Sequence, residues 1–424
     1  MSRGKIGRNG SNPGCLRYDP MATQSRNLRT GRPIWPSPAL SRLRSRRLTG
    51  DLTTDVLVVG AGITGAMVAD ALAQAGFDVI VVDRRGPAKG STAASTALVQ
   101  YEIDQPLTRL SRQIGPHDAV RAWRRTRLAV DALGARLSEI GMTGVTRSES
   151  LYIAGDMLDA LALAREAEAR RAAGLETALL RRGEIAERFG VRANAALLSY
   201  GNLALDPRKA AVALLAEAAR NGAQIYAPAD IVDIVNGKRQ MKATTADGHR
   251  IRCKHLVFAT GYEMPDGLPG KGHQIISTWA IATVPQKRMP CPDIMLWEAS
   301  DPYVYLRCAG RRIICGGEDE EFSNDEKRDA LIARKAAILQ RKLKKLLPGT
   351  DTRVDYAWAG SFGASTTGLP TIGKMPGKPR CLVAMGYGGN GTTYSRIAAE
   401  IIRAELMGHD DPDADLYRVR RRGS

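Results

Sequence analysis

The chain lacks any apolar run long enough to cross a bilayer, so no transmembrane helix is expected. It has only five histidines in 424 residues, scattered and without a cysteine cluster beside them, which argues against a structural metal. The six cysteines (Cys15, Cys253, Cys291, Cys308, Cys315 and Cys381) show no C-x-x-C spacing. Without a secretory signal they read as the reduced thiols of a cytoplasmic protein. Aromatic residues make up 5% of the chain against an apolar fraction of 44%, a balance that suits a soluble α/β protein. The length allows one large or two to three ordinary domains.

Acidic residues are also few: 44 Asp and Glu face 62 Lys and Arg, for a net charge of +18. Residues 1–50 alone hold eleven Lys/Arg and one acid, and a short run follows at Arg420, Arg421 and Arg422. Basic ends are usually solvated. Residues 1–50 are therefore expected to be a disordered leader and 411–424 a basic tail. The Arg- and Ser-rich start also has the composition of a transit peptide, and Met21 is an alternative beginning. No basic and aromatic stripe accompanies the charge, so a nucleic-acid partner is not expected.

What is present begins with DVLVVGAGITGAMVADALAQAGFDVIVVD, from Asp55 to Asp83. It reads as strand, glycine turn, helix, strand and an acidic stop. Gly60, Gly62 and Gly65 have the G-x-G-x-x-G spacing that lets backbone approach a pyrophosphate, and the helix start offers free N–H groups and a positive dipole end. Asp83, followed by Arg84, stands where a carboxylate can accept from a ribose hydroxyl pair. Every contextual element of dinucleotide binding is there, although Asp83 does not separate NAD from FAD.

Farther along, a Gly/Ser/Thr loop over 86–100 leads into mostly helical sequence to about residue 190. Helical spacing covers 116–140 and 158–173. Asp206-Pro207 opens a helix that stops at Asn221-Gly222. Short strands follow, then a β-rich stretch over 273–316, a charged helix over 325–346, and a last α/β portion. One part of that portion, GYGGNGTT from Gly386 to Thr393, is a second glycine-rich strand–helix junction. A nicotinamide dehydrogenase has no need of it. Its converging N–H groups suit negative charge on the N1–C2=O edge of a reduced flavin, whereas the plain alternative is a tight packing turn.

The arrangement resembles the D-amino-acid oxidase and glycine oxidase superfamily of FAD-dependent amine oxidoreductases, over residues 51 to 408. The resemblance rests on VVGAGITGAMVADALAQAGFDVIVVD, on GSTAASTALV, on LDPRKAAVALLAEAARNGAQIYAPADIVDI with HLVFATGY, and on TTGLPTIG with AMGYGGNGTTYS. It implies an α/β fold: a Rossmann-like FAD-binding domain from 51–110, 200–265 and 351–410. A second, α+β substrate domain from 111–199 and 266–350 would be built on a mainly antiparallel sheet. It also implies that Gly60, Ala61, Gly62, Ile63, Thr64 and Gly65, with Asp83 and Arg84, hold the nucleotide. Ser91 and Thr92 would lie near the pyrophosphate, and Thr96, Ala97 and Leu98 along the flavin. Ile231 would meet the adenine, and Ala259, Thr260 and Gly261 would close the dinucleotide side. Gly388, Gly389, Asn390, Gly391, Thr392 and Thr393 would face the pyrimidine edge, with the Thr393 hydroxyl a partner for a flavin carbonyl.

Two departures limit the transfer. Thr366-Thr367-Gly368 replaces the family's frequent T-P-D, and the last glycine loop carries Thr392 and Thr393 where some amine oxidases have lysine. No cysteine or histidine stands where the family attaches flavin covalently, so non-covalent FAD is expected. On the substrate side, Tyr303, Tyr305 and Arg307 share one face of a strand and form a candidate carboxylate clamp; the alternative is a solvated face with Arg307 paired to an acid. Gln100, Tyr101, Trp358 and Phe362 are candidate pocket neighbours or packing residues. The run Glu318-Asp319-Glu320-Glu321 reads as a solvated loop, with attraction of a polyamine-like substrate as the alternative.

The expected activity is oxidation of the C–N bond of a small amine or amino acid by FAD, giving an imine that hydrolyses, with oxygen or another electron acceptor downstream. Oxidation of a C–O bond in a hydroxy acid, and a non-catalytic flavin-bearing assembly subunit, are the alternatives.

Overall fold

The computed structural model describes residues 25–36, 43, 45–237, 239–265 and 273–419. Two sheets organise them. In the first, the strands run in the order Thr371–Met375, Lys378–Met385, Arg250–Phe258, Leu52–Val59, Val79–Val82 and Gln224–Tyr226. From Lys378–Met385 to Gln224–Tyr226 every pairing is parallel. Such a sheet is covered on both faces, which is why its central strands carry apolar stretches such as Val56–Val59 and Val79–Val82. The helix Ile63–Gln74 packs between Pro207–Arg220 and Gly391–Met407 on one face. Ile231–Asn236 and Met241–Thr245 extend the sheet as an antiparallel flap beside Arg250–Phe258.

The second sheet has ten strands in the order Arg29–Gly31, Val354–Ser365, His273–Thr283, Arg312–Glu320, Val304–Ala309, Ile294–Glu298, Thr146–Ile153, Ala195–Ala204 and Leu98–Val99, with Thr177–Arg181 also beside Ala195–Ala204. It is antiparallel except where Ile294–Glu298 meets Thr146–Ile153. One face packs on the helix Ile332–Leu346, whose Leu339, Leu343 and Leu346 recur at helical spacing and are buried.

Several sequence expectations need correction. The stretch to about residue 190, expected to be mostly helical, carries Thr146–Ile153 and Thr177–Arg181 between its helices. Val354–Ser365, assigned by sequence to the nucleotide domain, pairs along its length with His273–Thr283 in the other sheet, and Leu98–Val99 and Ala195–Ala204 belong to that sheet as well. The expected charged helix is broken at Leu331 into Asp325–Ala330 and Ile332–Leu346.

The basic ends also differ. In the leader, Arg29–Gly31 pairs with Val354–Ser365, and Leu28, Leu43 and Leu48 are buried, because apolar side chains punctuate the arginines. Met21 and Cys15 lie outside the described residues. In the tail, Asp411, Asp413 and Asp415 pair with Arg121 and Arg125 of the helix Pro116–Glu139, and Tyr417 is buried. Arg420, Arg421 and Arg422 lie outside the described residues. No described helix is long and apolar enough to cross a membrane.

A buried ion pair ties the nucleotide-side helix Ile63–Gln74 to Pro116–Glu139. Arg136 donates from Nε and Nη2 to the two carboxylate oxygens of Asp70 at 2.8 and 2.6 Å, with both residues at most 7% exposed. Arg136 also reaches the exposed Glu139 through Nη1 at 2.9 Å, so removing Asp70 leaves its charge only that solvent-facing partner. Asp70→Ala is expected to lower unfolding free energy by about 2–3 kcal/mol, and the double change to Leu and Met by much less. Urea denaturation checks this; a single-variant loss below about 1 kcal/mol, the scale of an exposed pair, contradicts it.

Candidate active site

A long cleft of about 1740 Å³, its open mouth included, runs along the seam between the sheets. At one end the parallel strand Leu52–Val59 delivers Gly60 into the turn. Gly60 has φ of +113°, and a Cβ there would stand 2.4 Å from the Ala259 carbonyl oxygen. A Cβ on Gly65 would meet Gly60 O at 1.8 Å, so the helix can begin this close to the strand only without side chains.

Asp83 fixes the neighbouring backbone: one carboxylate oxygen accepts from Ala61 N–H at 2.8 Å, the other from Arg85 and Gly86 N–H at 2.7 Å each. Thr92 Oγ1 accepts from Ile63 N–H, drawing the Ser/Thr loop onto the helix start. Ser91 Oγ is buried at the cleft wall with no hydrogen-bond partner. Arg84 pairs with Asp230 and Glu263, and Arg85 with Glu263 at 2.5 Å.

Of the sequence-assigned cofactor residues, Gly60, Gly62, Ile63, Thr64, Asp83, Arg84, Ser91, Thr92, Thr96, Ala97, Leu98, Ile231, Ala259, Thr260, Gly261, Gly388, Gly389, Asn390, Gly391 and Thr392 line this one cleft. Ala61, Gly65 and Thr393 do not; Ala61 and Gly65 shape the turn behind its wall. The Thr393 hydroxyl, expected to meet a flavin carbonyl, donates instead to Gln100 O at 2.7 Å. That bond belongs to a seam: Asn390 Nδ2 donates to Glu102 O, and Gly389 N–H to an Asp104 carboxylate oxygen at 2.7 Å. The last glycine loop is thereby sewn to residues 100–104.

The three-residue clamp separates. Tyr303 and Tyr305 line the cleft with ring centroids 5.6 Å apart, and Tyr305 lies across Gly316, where a Cβ would come within 2.3 Å of its hydroxyl. Arg307 is not among the lining residues. It is buried, and its guanidinium donates to Ala97 O at 2.6 Å and Leu205 O at 3.1 Å. Both the carboxylate clamp and its alternative, a solvated face, give way to a different role: Arg307 holds the loop at Ala97, itself in the left-handed region at φ of +54°. Trp35 and Trp358 add indole N–H bonds to Ser95 O and Ala94 O of the same loop.

Gln100, Trp358 and Phe362 line the cleft, whereas Tyr101 is packed edge-on against Trp123. Sequence reasoning missed Arg85, Glu263, Glu102, Asp104, Tyr262 and Trp297, which also line it. Glu102 and Asp104 carried a readable signal, two acids in the apolar stretch just past the loop.

The acidic run is not a solvated loop throughout. Glu318 is buried, and Asp319 lies against Thr278 and Tyr303, behind the cleft wall. Burial pushes the Asp319 carboxyl up to about 7. Burial also raises Asp104, with the Gly389 N–H opposing the shift, and pushes Tyr303 and Tyr305 above the usual phenol range.

A two-sheet fold with a phosphate turn at one end of a shared cleft defines a dinucleotide-binding oxidoreductase architecture. The comparisons specify it. The family model described as FAD dependent oxidoreductase matches residues 55–405, and the chain belongs to that family. Glycine oxidase of Bacillus licheniformis is 23% identical over 84% of this chain and 93% of its own length. Gamma-glutamylputrescine oxidoreductase of Escherichia coli is 21% identical over 87% of each. Among solved structures, glycine oxidase from Geobacillus kaustophilus superposes with a TM-score of 0.71 at 19% identity, covering 87% of this chain and 99% of that one. The cofactor of the family is FAD, and the site fits it: a glycine cradle, an unpartnered buried Ser91 hydroxyl and a second amide-rich loop face one cleft.

Two outcomes follow. Gly65→Ala is expected to purify with at least tenfold less flavin per chain, measured by visible absorbance, because the added methyl meets backbone; full flavin content contradicts the cradle. Arg307→Leu is expected to weaken flavin retention by about tenfold, on the scale of a lost charged hydrogen bond. Its effect on retention should exceed any selective effect on the KM of carboxylate substrates. A KM effect alone would restore the clamp.

Proposed function

We propose that the protein oxidises the C–N bond of a small amine or amino acid. When bound, FAD supplies the two-electron acceptance, taking the substrate's C–H hydrogen with its electron pair. The residues of this chain position and desolvate the substrate. The substrate nitrogen loses its remaining proton, and the imine product is hydrolysed by water. One observation carries the choice of C–N over C–O. The described residues lining the cleft include no histidine or lysine, and the titratable groups beyond the flavin loop are Glu102, Asp104 and tyrosines. An alcohol needs a base strong enough to take its hydroxyl proton as the C–H bond breaks. An amine can enter with its nitrogen already neutral, the proton lost to water, and needs no such base.

The aromatic walls, Trp297, Tyr303, Tyr305 and Phe362, suit a small organic substrate. The nucleotide half is read as the parallel sheet with its helices, the substrate half as the ten-stranded sheet. A cytoplasmic setting agrees with five free, buried cysteines among the described residues.

Anaerobic addition of amines, amino acids and hydroxy acids to the flavin-loaded protein tests the reading. Amines or amino acids are expected to bleach the flavin. At subsaturating amine the reduction rate should rise about tenfold per pH unit below the ammonium pKa, since the neutral fraction does. Bleaching by hydroxy acids alone would overturn the proposal. Re-admitting oxygen then identifies the acceptor: prompt reoxidation marks an oxidase.

A further inference from the structure

Cations and anions are unevenly distributed along the cleft. The arginines among its described lining residues, Arg84 and Arg85, both stand at the Asp83 end and are paired with Glu263. Beyond the flavin loop the charged lining residues are Glu102 and Asp104. Glu102 is 1% exposed. Its Oε1 accepts from the Ser150 hydroxyl, and its Oε2 is buried at the cleft wall with no hydrogen-bond partner.

The cation facing Glu102 from behind is Arg170, bonded through Nε to Glu166 at 2.8 Å and with Nη1 and Nη2 lacking hydrogen-bond partners. Counting the three together leaves one negative charge uncompensated, and Asp104 adds its own when ionised. Trp297 and Tyr305 supply aromatic faces in the same region. A wall of carboxylate and aromatic rings attracts alkylammonium and repels carboxylate.

Resting on the C–N reading above, we propose that the substrate is an amine bearing a second, positively charged nitrogen and no carboxylate beside the oxidised C–N bond. Glu102 receives the distal ammonium, and Asp104 stands beside it. The unpartnered Oε2 gains its missing donor from the ligand. The reacting nitrogen, held toward the flavin loop at Ala97, is free to become neutral because the retained charge sits on the distal one.

The test uses the FAD-loaded protein under anaerobic conditions, with terminal diamines of three to five carbons, aminobutane, aminobutyrate and N-methylglycine as probes. Dissociation constants come from the flavin absorbance perturbation and reduction rates from bleaching. Diamines are expected to bind at least about tenfold more tightly than aminobutane, the scale of one charged hydrogen bond, and aminobutyrate and N-methylglycine more weakly than either. Glu102→Gln should raise the diamine constant to that of aminobutane while shifting the aminobutane constant by less than about threefold. Asp104→Asn gives an independent variant if the buried exchange at 102 does not fold.

Amino acids binding and bleaching better than diamines would overturn the proposal while leaving C–N oxidation intact. An unchanged diamine-to-monoamine ratio in both variants would overturn it equally. If hydroxy acids alone bleach the flavin, the C–N reading fails and the proposal falls with it.

Discussion

The Asp83 carboxylate is the point from which the cleft is laid out. By accepting three backbone N–H groups it fixes the turn at Ala61 and the loop start at Arg85 and Gly86 together. A carboxylate that gathers several backbone donors is rigidly placed. The loop leaving Gly86 then passes Ser91 and Thr92, reaches Ala97, and enters the other sheet as Leu98–Val99. One side chain therefore aligns the glycine turn with the path that carries the chain from one sheet to the next.

The far side of the cleft depends on comparable fastenings. Arg307 reaches from the ten-stranded sheet to Ala97 O, and Gln100, Glu102 and Asp104 are stitched to the last glycine loop. Each bond is ordinary in strength, but together they join segments nearly three hundred residues apart in sequence. This seam is where the amide-rich loop, the loop at Ala97 and the aromatic wall come together. Arg307 lies off the cleft wall, with Nη1 and Nη2 turned to the Ala97 and Leu205 carbonyls.

The nucleotide half was legible because its signal is local. Glycine spacing, the Val/Ile strands and Asp83 all fall within Asp55–Asp83, and their geometry follows from adjacency. The strand Thr177–Arg181 was hidden in Ala-rich sequence whose strand form is fixed by pairing with another segment, so propensity alone pointed to helix. Alternation put Tyr303, Tyr305 and Arg307 on one face, but only the packing of Ala97 against the third of them decides that its head is occupied. Asp319 was misread for a backbone reason. Gly317 and Glu318 adopt φ of +127° and +60°, the pairing with His273–Thr283 shifts register there, and the acid next in line lies against Tyr303 and Thr278. No composition rule anticipates that break.

The central claim is that this cleft holds one FAD across the two sheets. Denaturing the purified protein and identifying the released cofactor by mass, with its ratio to chain, tests it most directly. The account predicts intact FAD, freed without covalent attachment and approaching one per chain. Release of a nicotinamide dinucleotide, or failure of flavin-free protein to take up added FAD, would contradict it.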